Sequence, residues 1–131
     1  VIGEYNDRSI FFRFDLQFES QVIFGTCGSS FDTVITLWDA TLTNIFASCS
    51  DCGIEGFPGD CTTNSGQSDE ICCDGLRPDQ SEIIIDLFPN RYNLELKSET
   101  TGVRGEFFLE IICDNITPTT SSPSRFVHIS C

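Results

Sequence analysis

Acid–base catalysis in this chain would have to pass through His128, the one histidine among its 131 residues. A Ser–His–Asp or Cys–His arrangement uses histidine to take the nucleophile's proton. His128 stands near the end of the sequence, behind a Thr/Ser/Pro-rich stretch, a poor place to hold a base in position. Phosphate-binding glycine loops, dinucleotide fingerprints and HExxH pairs are missing from the sequence. Asp32, inside TCGSSFDTVITLWD (26–39), poses a narrower question: is it an active-site acid or a structural corner? No nucleophile or base accompanies it. The expected role is structural, with the carboxylate accepting hydrogen bonds from backbone N–H groups of the Gly-Ser-Ser turn before it. The chain is therefore expected not to be an enzyme.

The cysteines carry a stronger signal. Eight in so short a chain, an even number, with no methionine, point to an oxidising compartment. Cys27, Cys49, Cys52, Cys61, Cys72, Cys73, Cys113 and Cys131 are all assigned to disulfides on this reading. Cys49 and Cys52 form a single CxxC, CSDC, which without a strand–helix context is a weak redox or metal signal. Adjacent Cys72 and Cys73 normally take different partners. Eight cysteines permit about 105 pairings, and the sequence does not choose among them.

Two further groups could bind or carry something. Residues 51–74 hold Asp51, Glu55, Asp60, Asp69, Glu70 and Asp74 with no lysine or arginine. Clustered carboxylates in a glycine-rich loop can take calcium, with Asp51, Asp60 and Asp69 as candidate ligands. The spacing is not that of an EF-hand, and a plain solvated acidic loop is the favoured reading. Asn115-Ile116-Thr117 is an N-glycosylation sequon, with Pro118 directly after it. The stretch around it, with Thr117, Thr119, Thr120, Ser121 and Ser122, has the composition of an O-glycosylated stalk and equally that of a flexible linker. No cofactor is required; calcium and covalent glycans are the two groups the residues could take.

The net charge of −13, with Lys97 as the single lysine, excludes a nucleic-acid partner. No apolar run approaches membrane-spanning length, so insertion in a membrane is not expected. The chain begins at Val1 without a methionine and is read as the mature form of an extracellular or cell-surface protein.

The elements that must position these residues are strands. In SIFFRFDLQFE, Ile10, Phe12, Phe14, Leu16 and Phe18 share one face and Arg13, Asp15, Gln17 and Glu19 the other. QVIFGTC (21–27) follows after a short break and reads as its hairpin partner. FDTVITLW aligns Phe31, Thr33, Ile35 and Leu37, and LTNIFASC is a weaker strand. Residues 50–80 read as a long cysteine-rich loop. EIIIDLF, RYNLELK, EFFLEIIC and RFVHISC complete the set, with a turn at Pro89-Asn90. No segment has helical periodicity. About eight short strands predict an all-β protein, an antiparallel, jelly-roll-like β-sandwich reinforced by disulfides. Residues 1–116 form its one domain, 117–124 a Thr/Ser/Pro linker, and 125–131 a terminal strand.

FDTVITLWDA, ASCSDCG, SEIIIDLFPNRYNLEL and GEFFLEI, in this order over residues 9 to 113, resemble the bacterial pre-peptidase C-terminal domain. Phe31-Asp32-Thr33, Ser81, Tyr92, and Gly105 with Phe107 and Leu109 match its pattern. Asn90 replaces its turn glycine, the insertion 53–80 is longer, the first strand is absent or reduced to VIGEY, and RFVHISC is surplus. The resemblance implies a non-catalytic β-sandwich of the kind that flanks secreted proteases; some such modules bind protein fibres and calcium.

An incomplete sandwich and a surplus strand suggest one device. RFVHISC fills a gap in its own subunit or, since eight extended linker residues reach up to about 25 Å, in a neighbour. The second reading, with Phe126, Val127 and Ile129 as subunit contacts, gives a homo-oligomer or filament. Pairing of Cys113 with Cys131 belongs to the first. The expected function is a structural subunit of an extracellular filament or matrix. The alternative is an accessory module of a secreted hydrolase that binds a glycan or fibrous protein through exposed aromatics, Trp38, Phe11 and Phe108.

Overall fold

The computed structural model describes residues 1–50, 62–63, 66–67, 80–113 and 128–130. Twelve strands run β1 (Ile2–Asn6), β2 (Ile10–Leu16), β3 (Ser20–Gly25), β4 (Thr33–Asp39), β5 (Ile45–Cys49), β6 (Thr62–Thr63), β7 (Gly66–Gln67), β8 (Glu82–Leu87), β9 (Asn90–Ser98), β10 (Arg104–Phe108), β11 (Glu110–Cys113) and β12 (His128–Ser130). The described residues contain no helix.

The larger sheet has the order β12-β2-β9-β4-β5-β6-β7, and the smaller one β11-β3-β8. β1 pairs with β10, and only Leu109 separates β10 from β11. Val1 and Leu109 exchange backbone bonds of 2.7 and 2.8 Å, so β1 lies beside the same continuous stretch that reaches β3. Beside β10, residues 28–30 stand where β3 would continue: Ser30 N–H donates to Glu106 O at 2.9 Å, and Phe108 N–H donates to Ser29 Oγ at 2.9 Å. VIGEY is thus a formed strand, and the larger strand count comes from it, from the short β6 and β7, and from the division of EFFLEIIC into β10 and β11.

Alternation sets the inside. Phe12, Phe14, Phe24, Ile35, Leu37, Leu94 and Leu96 are fully buried, and their strands belong to two facing layers. Aromatic edges join those layers: Phe14 meets Phe24 at 5.4 Å and 75°, and Phe12 meets Phe107 at 5.9 Å and 71°. Tyr5 stacks on Phe31 at 4.8 Å. The result is β-sandwich-like. Gly3 and Gly105 permit the closest approaches, since a Cβ on Gly3 would strike the Phe107 ring and one on Gly105 would strike Ser30 and Phe31.

Two expectations are corrected. β2 and β3 are not a hairpin: β2 pairs with β9, β3 pairs with β8, and the two strands face each other across the core. Both carry a full apolar face, and stacking those faces buries both. Phe18 does not continue the buried row of β2; it is 50% exposed, beyond the strand's end at Leu16, where the chain crosses between layers. Every described strand pair is antiparallel except β12 on β2.

Tyr92 closes the turn between β8 and β9, its hydroxyl donating to Phe88 O at 2.6 Å. Burial holds this phenol above its ordinary pKa, so the hydroxyl keeps its proton further into the alkaline range. Tyr92→Phe should lower the unfolding free energy by about 1 kcal/mol in urea denaturation, with the m-value unchanged.

Candidate functional site

FDT leads into β4 at a junction of three segments. Thr26 follows β3, Thr33 begins β4 and Ser81 precedes β8; all three are buried. Thr26 N–H donates to Ser81 O at 2.9 Å, and Ser81 N–H donates to Thr26 Oγ1 at 2.9 Å. The hydroxyls of Thr26 and Thr33 lie 2.6 Å apart, Thr33 Oγ1 donates to Ser81 Oγ at 3.3 Å, and Ser81 Oγ donates to Thr33 O at 2.7 Å. Each hydroxyl has one proton. Thr26 Oγ1 also donates to Ser81 O at 3.2 Å, so the three hydroxyls form one connected cluster in which Thr26 has two acceptors for its proton. Ser81 Oγ also lies 2.9 Å from Ser50 O, which ties in the end of β5. Gln80 donates to Phe31 O at 3.0 Å.

These hydroxyls are satisfied and sealed, which is the opposite of what a nucleophile needs. The backbone of His128 is in register with Arg13, which faces Asn93 and then Trp38. Three strand spacings and five residues along β4 separate it from Thr33, about 20 Å at ordinary strand dimensions. FDT lies beside hydroxyls that the alternation pattern hides among polar strand residues, and the Ser29 and Ser30 N–H groups before it donate to Thr26 O and Glu106 O where the sequence suggested the Asp32 carboxylate. A buried threonine or serine directly at a strand boundary is the signal that finds these hydroxyls.

A second polar knot caps the β4–β5 hairpin. Asp39 accepts from the backbone N–H groups of Thr41 (3.2 Å) and Thr43 (2.8 Å), both threonine hydroxyls, and the Asn44 amide (2.8 Å). Leu42 sits there at φ 58°. The Thr43 N–H, with the Thr43 hydroxyl and the Asn44 amide, holds the Asp39 carboxyl well below the usual carboxylate range.

The three candidate aromatics separate. Phe11 lies beside Glu95 and Trp38 beside Asn93 on the outer face of the larger sheet, whereas Phe108 pairs with Ile2 in the other layer. Glu95 is held from two sides, by Trp38 Nε1–H at 3.2 Å and by Ser9 Oγ–H at 2.6 Å. An open cleft of about 430 Å³, lined by Tyr5, Asp7, Val34, Lys97 and Glu99 among others, has no histidine or cysteine in its walls.

Of the assigned cysteines, Cys27, Cys49 and Cys113 are described, and none is a free thiol. β11 and β3 pair Cys113 with Val22 and Glu110 with Gly25, which sets Cys113 and Cys27 about five residues, or ~16 Å, apart along the sheet. That exceeds disulfide reach, so these two are not partners. Cys52, Cys61, Cys72, Cys73 and Cys131 lie outside the described residues. So do the calcium candidates Asp51, Asp60 and Asp69, the glycosylation candidates Asn115, Thr117, Thr119, Thr120, Ser121 and Ser122, and the contacts Phe126 and Val127. Ile129 is described as backbone, paired with Phe14.

No protein-family model, characterised protein or solved structure matches the chain.

Ser81→Ala removes a hydroxyl that serves three partners and should cost about 2 kcal/mol in chemical denaturation, without altering the circular dichroism spectrum. Asp39→Ala should lower the melting temperature at pH 7. The folded-state pKa of Asp39 is depressed, so its contribution is complete above about pH 4 and fades on acidification through the folded-state value. The gap in melting temperature between parent and variant should accordingly narrow below pH 4 in calorimetric scans.

Proposed function

We propose that this chain is a non-catalytic extracellular structural protein, a jelly-roll-like sandwich subunit that assembles by strand complementation. The observation that carries this reading is β12. It is the one parallel addition among the described strands, and its three residues lie along the β2 edge by backbone pairing of His128, Ile129 and Ser130 with Arg13, Phe14 and Asp15. The fourteen residues between β11 and β12, 114–127, are rich in Thr, Ser and Pro and extend to at most about 45 Å. The strand of a neighbouring subunit can make the same backbone bonds on the same edge, which is domain swapping in its simplest form. Passed head to tail, it gives a filament, with Phe126, Val127 and Ile129 at the joint.

Eight cysteines without a free thiol among those described support a disulfide framework and an oxidising location. The sequon at Asn115 supports a glycoprotein. The pre-peptidase C-terminal resemblance supports the inert role: Gly105, whose Cβ would have no room, and Tyr92, which closes its turn, are residues of that pattern. Calcium in the acidic loop is an accessory of the same reading. A glycan- or protein-binding module of a secreted hydrolase is the second reading, favoured by one observation, that Phe11 and Trp38 share a sheet face around Glu95.

The test is light scattering and electron microscopy across a concentration series. The full chain should form oligomers or fibres, the chain without 125–131 should stay folded and monomeric, and a peptide of residues 125–131 should block assembly. A full chain that stays monomeric at about 1 mM removes the assembly reading.

A further inference from the structure

The outer face of the smaller layer carries bands of apolar and acidic side chains, with Arg104 at the start of the β10 row. Along β10 and β11, Phe107, Leu109, Ile111 and Cys113 face the core, and Glu106, Phe108, Glu110 and Ile112 alternate on the other side. Register extends each across neighbouring strands. Ile112 aligns with Ile23 and Ile84, and Phe108 with Ile2. Between these rows, Glu110 aligns with Gly25 and Glu82; beyond them, Glu106 faces Glu4. Ile2 is 63% exposed, Ile112 42% and Phe108 36%.

Two features of this face work against the isolated molecule. Three large apolar side chains meet water, although polar residues at those positions would leave the core untouched. Glu4 and Glu106, both exposed, stand directly opposite each other on paired strands, an arrangement that destabilises a sheet. A cationic partner relieves the second and buries the first. A second copy of the same face would set carboxylate against carboxylate, which charge complementarity disfavours.

We propose that the outer face of the β1–β10/β11–β3–β8 layer docks a protein segment in which basic and apolar side chains alternate. Exposed residues two apart on a strand recur about every 6.7 Å, the spacing of Glu106, Phe108, Glu110 and Ile112. An extended segment with cation, apolar, cation, apolar on one face meets that row in register. The acids set orientation and encounter rate, and the isoleucines and Phe108 supply the buried area. This surface is separate from the β2 edge that β12 occupies.

The test uses the full chain and a cyclised β-hairpin peptide with lysine and valine alternating on one face, followed by fluorescence anisotropy. Binding should fall more than about tenfold between about 50 and 500 mM salt. Glu106→Lys and Ile112→Ser should each weaken it at least about fivefold, whereas Glu19→Lys, with the same charge change away from this face, should leave it within about twofold. Failure to bind at about 1 mM peptide, equal weakening by Glu106→Lys and Glu19→Lys, or a dimer of the parent chain that Ile112→Ser dissociates would overturn the proposal.

Discussion

Four segments of this protein end at one buried place, and three hydroxyls make that possible. β3, β4, β5 and the residues entering β8 converge where the chain leaves regular ladders, so their backbone groups lose sheet partners just where water is excluded. An unpaired buried carbonyl or N–H costs as much as the stability a typical contact contributes. Thr26, Thr33 and Ser81 answer this with a cluster of hydroxyls bonded to one another and to the carbonyls of Thr33, Ser50 and Ser81. The core can be filled on both sides of the junction because its three hydroxyls are bonded, while Gln80 beside them donates to Phe31 O and leaves its Oε1 buried without a partner.

From that junction the two layers diverge, and aromatic edges hold them together. Phe14 against Phe24 and Phe12 against Phe107 join the layers near β2, and Tyr5 on Phe31 does so beside the hydroxyl corner. Side chains of this size tolerate little neighbouring bulk, which is why Gly3 and Gly105 stand beside the aromatic rings. The polar work is local by comparison. Asp39 organises its own hairpin, and Tyr92 its own turn.

Such a scaffold is rigid at its centre and open at its margins, and the proposed functions lie at the margins. The β2 edge is completed by β12, which follows β11 in sequence after fourteen residues rich in Thr, Ser and Pro. The outer face of the smaller layer keeps isoleucine rows and opposed carboxylates that folding alone does not require. Neither feature demands a proton shuttle or a nucleophile. They are the two features on which the proposed assembly and docking rest.

Alternation along single strands was enough to name most of the core. Phe12 and Phe14, Ile35 and Leu37, Leu94 and Leu96, and Phe107 and Leu109 were legible because period two is a property of one strand and needs no knowledge of its neighbours. The role read for Asp32 was not legible in the same way, because the Ser29 and Ser30 N–H groups expected to bond its carboxylate donate to Thr26 O and Glu106 O. Pairing was not legible. β2 and β3 look like a hairpin because a short connection joins them, yet an apolar face is buried as well by stacking across the core as by lying beside a neighbour in the same sheet. The parallel seat of β12, the hydroxyl cluster and the Ile112–Ile23–Ile84 row each depend on two or more strands meeting in a particular register. Register is fixed by the whole set of buried faces at once, so only the tertiary structure decides it.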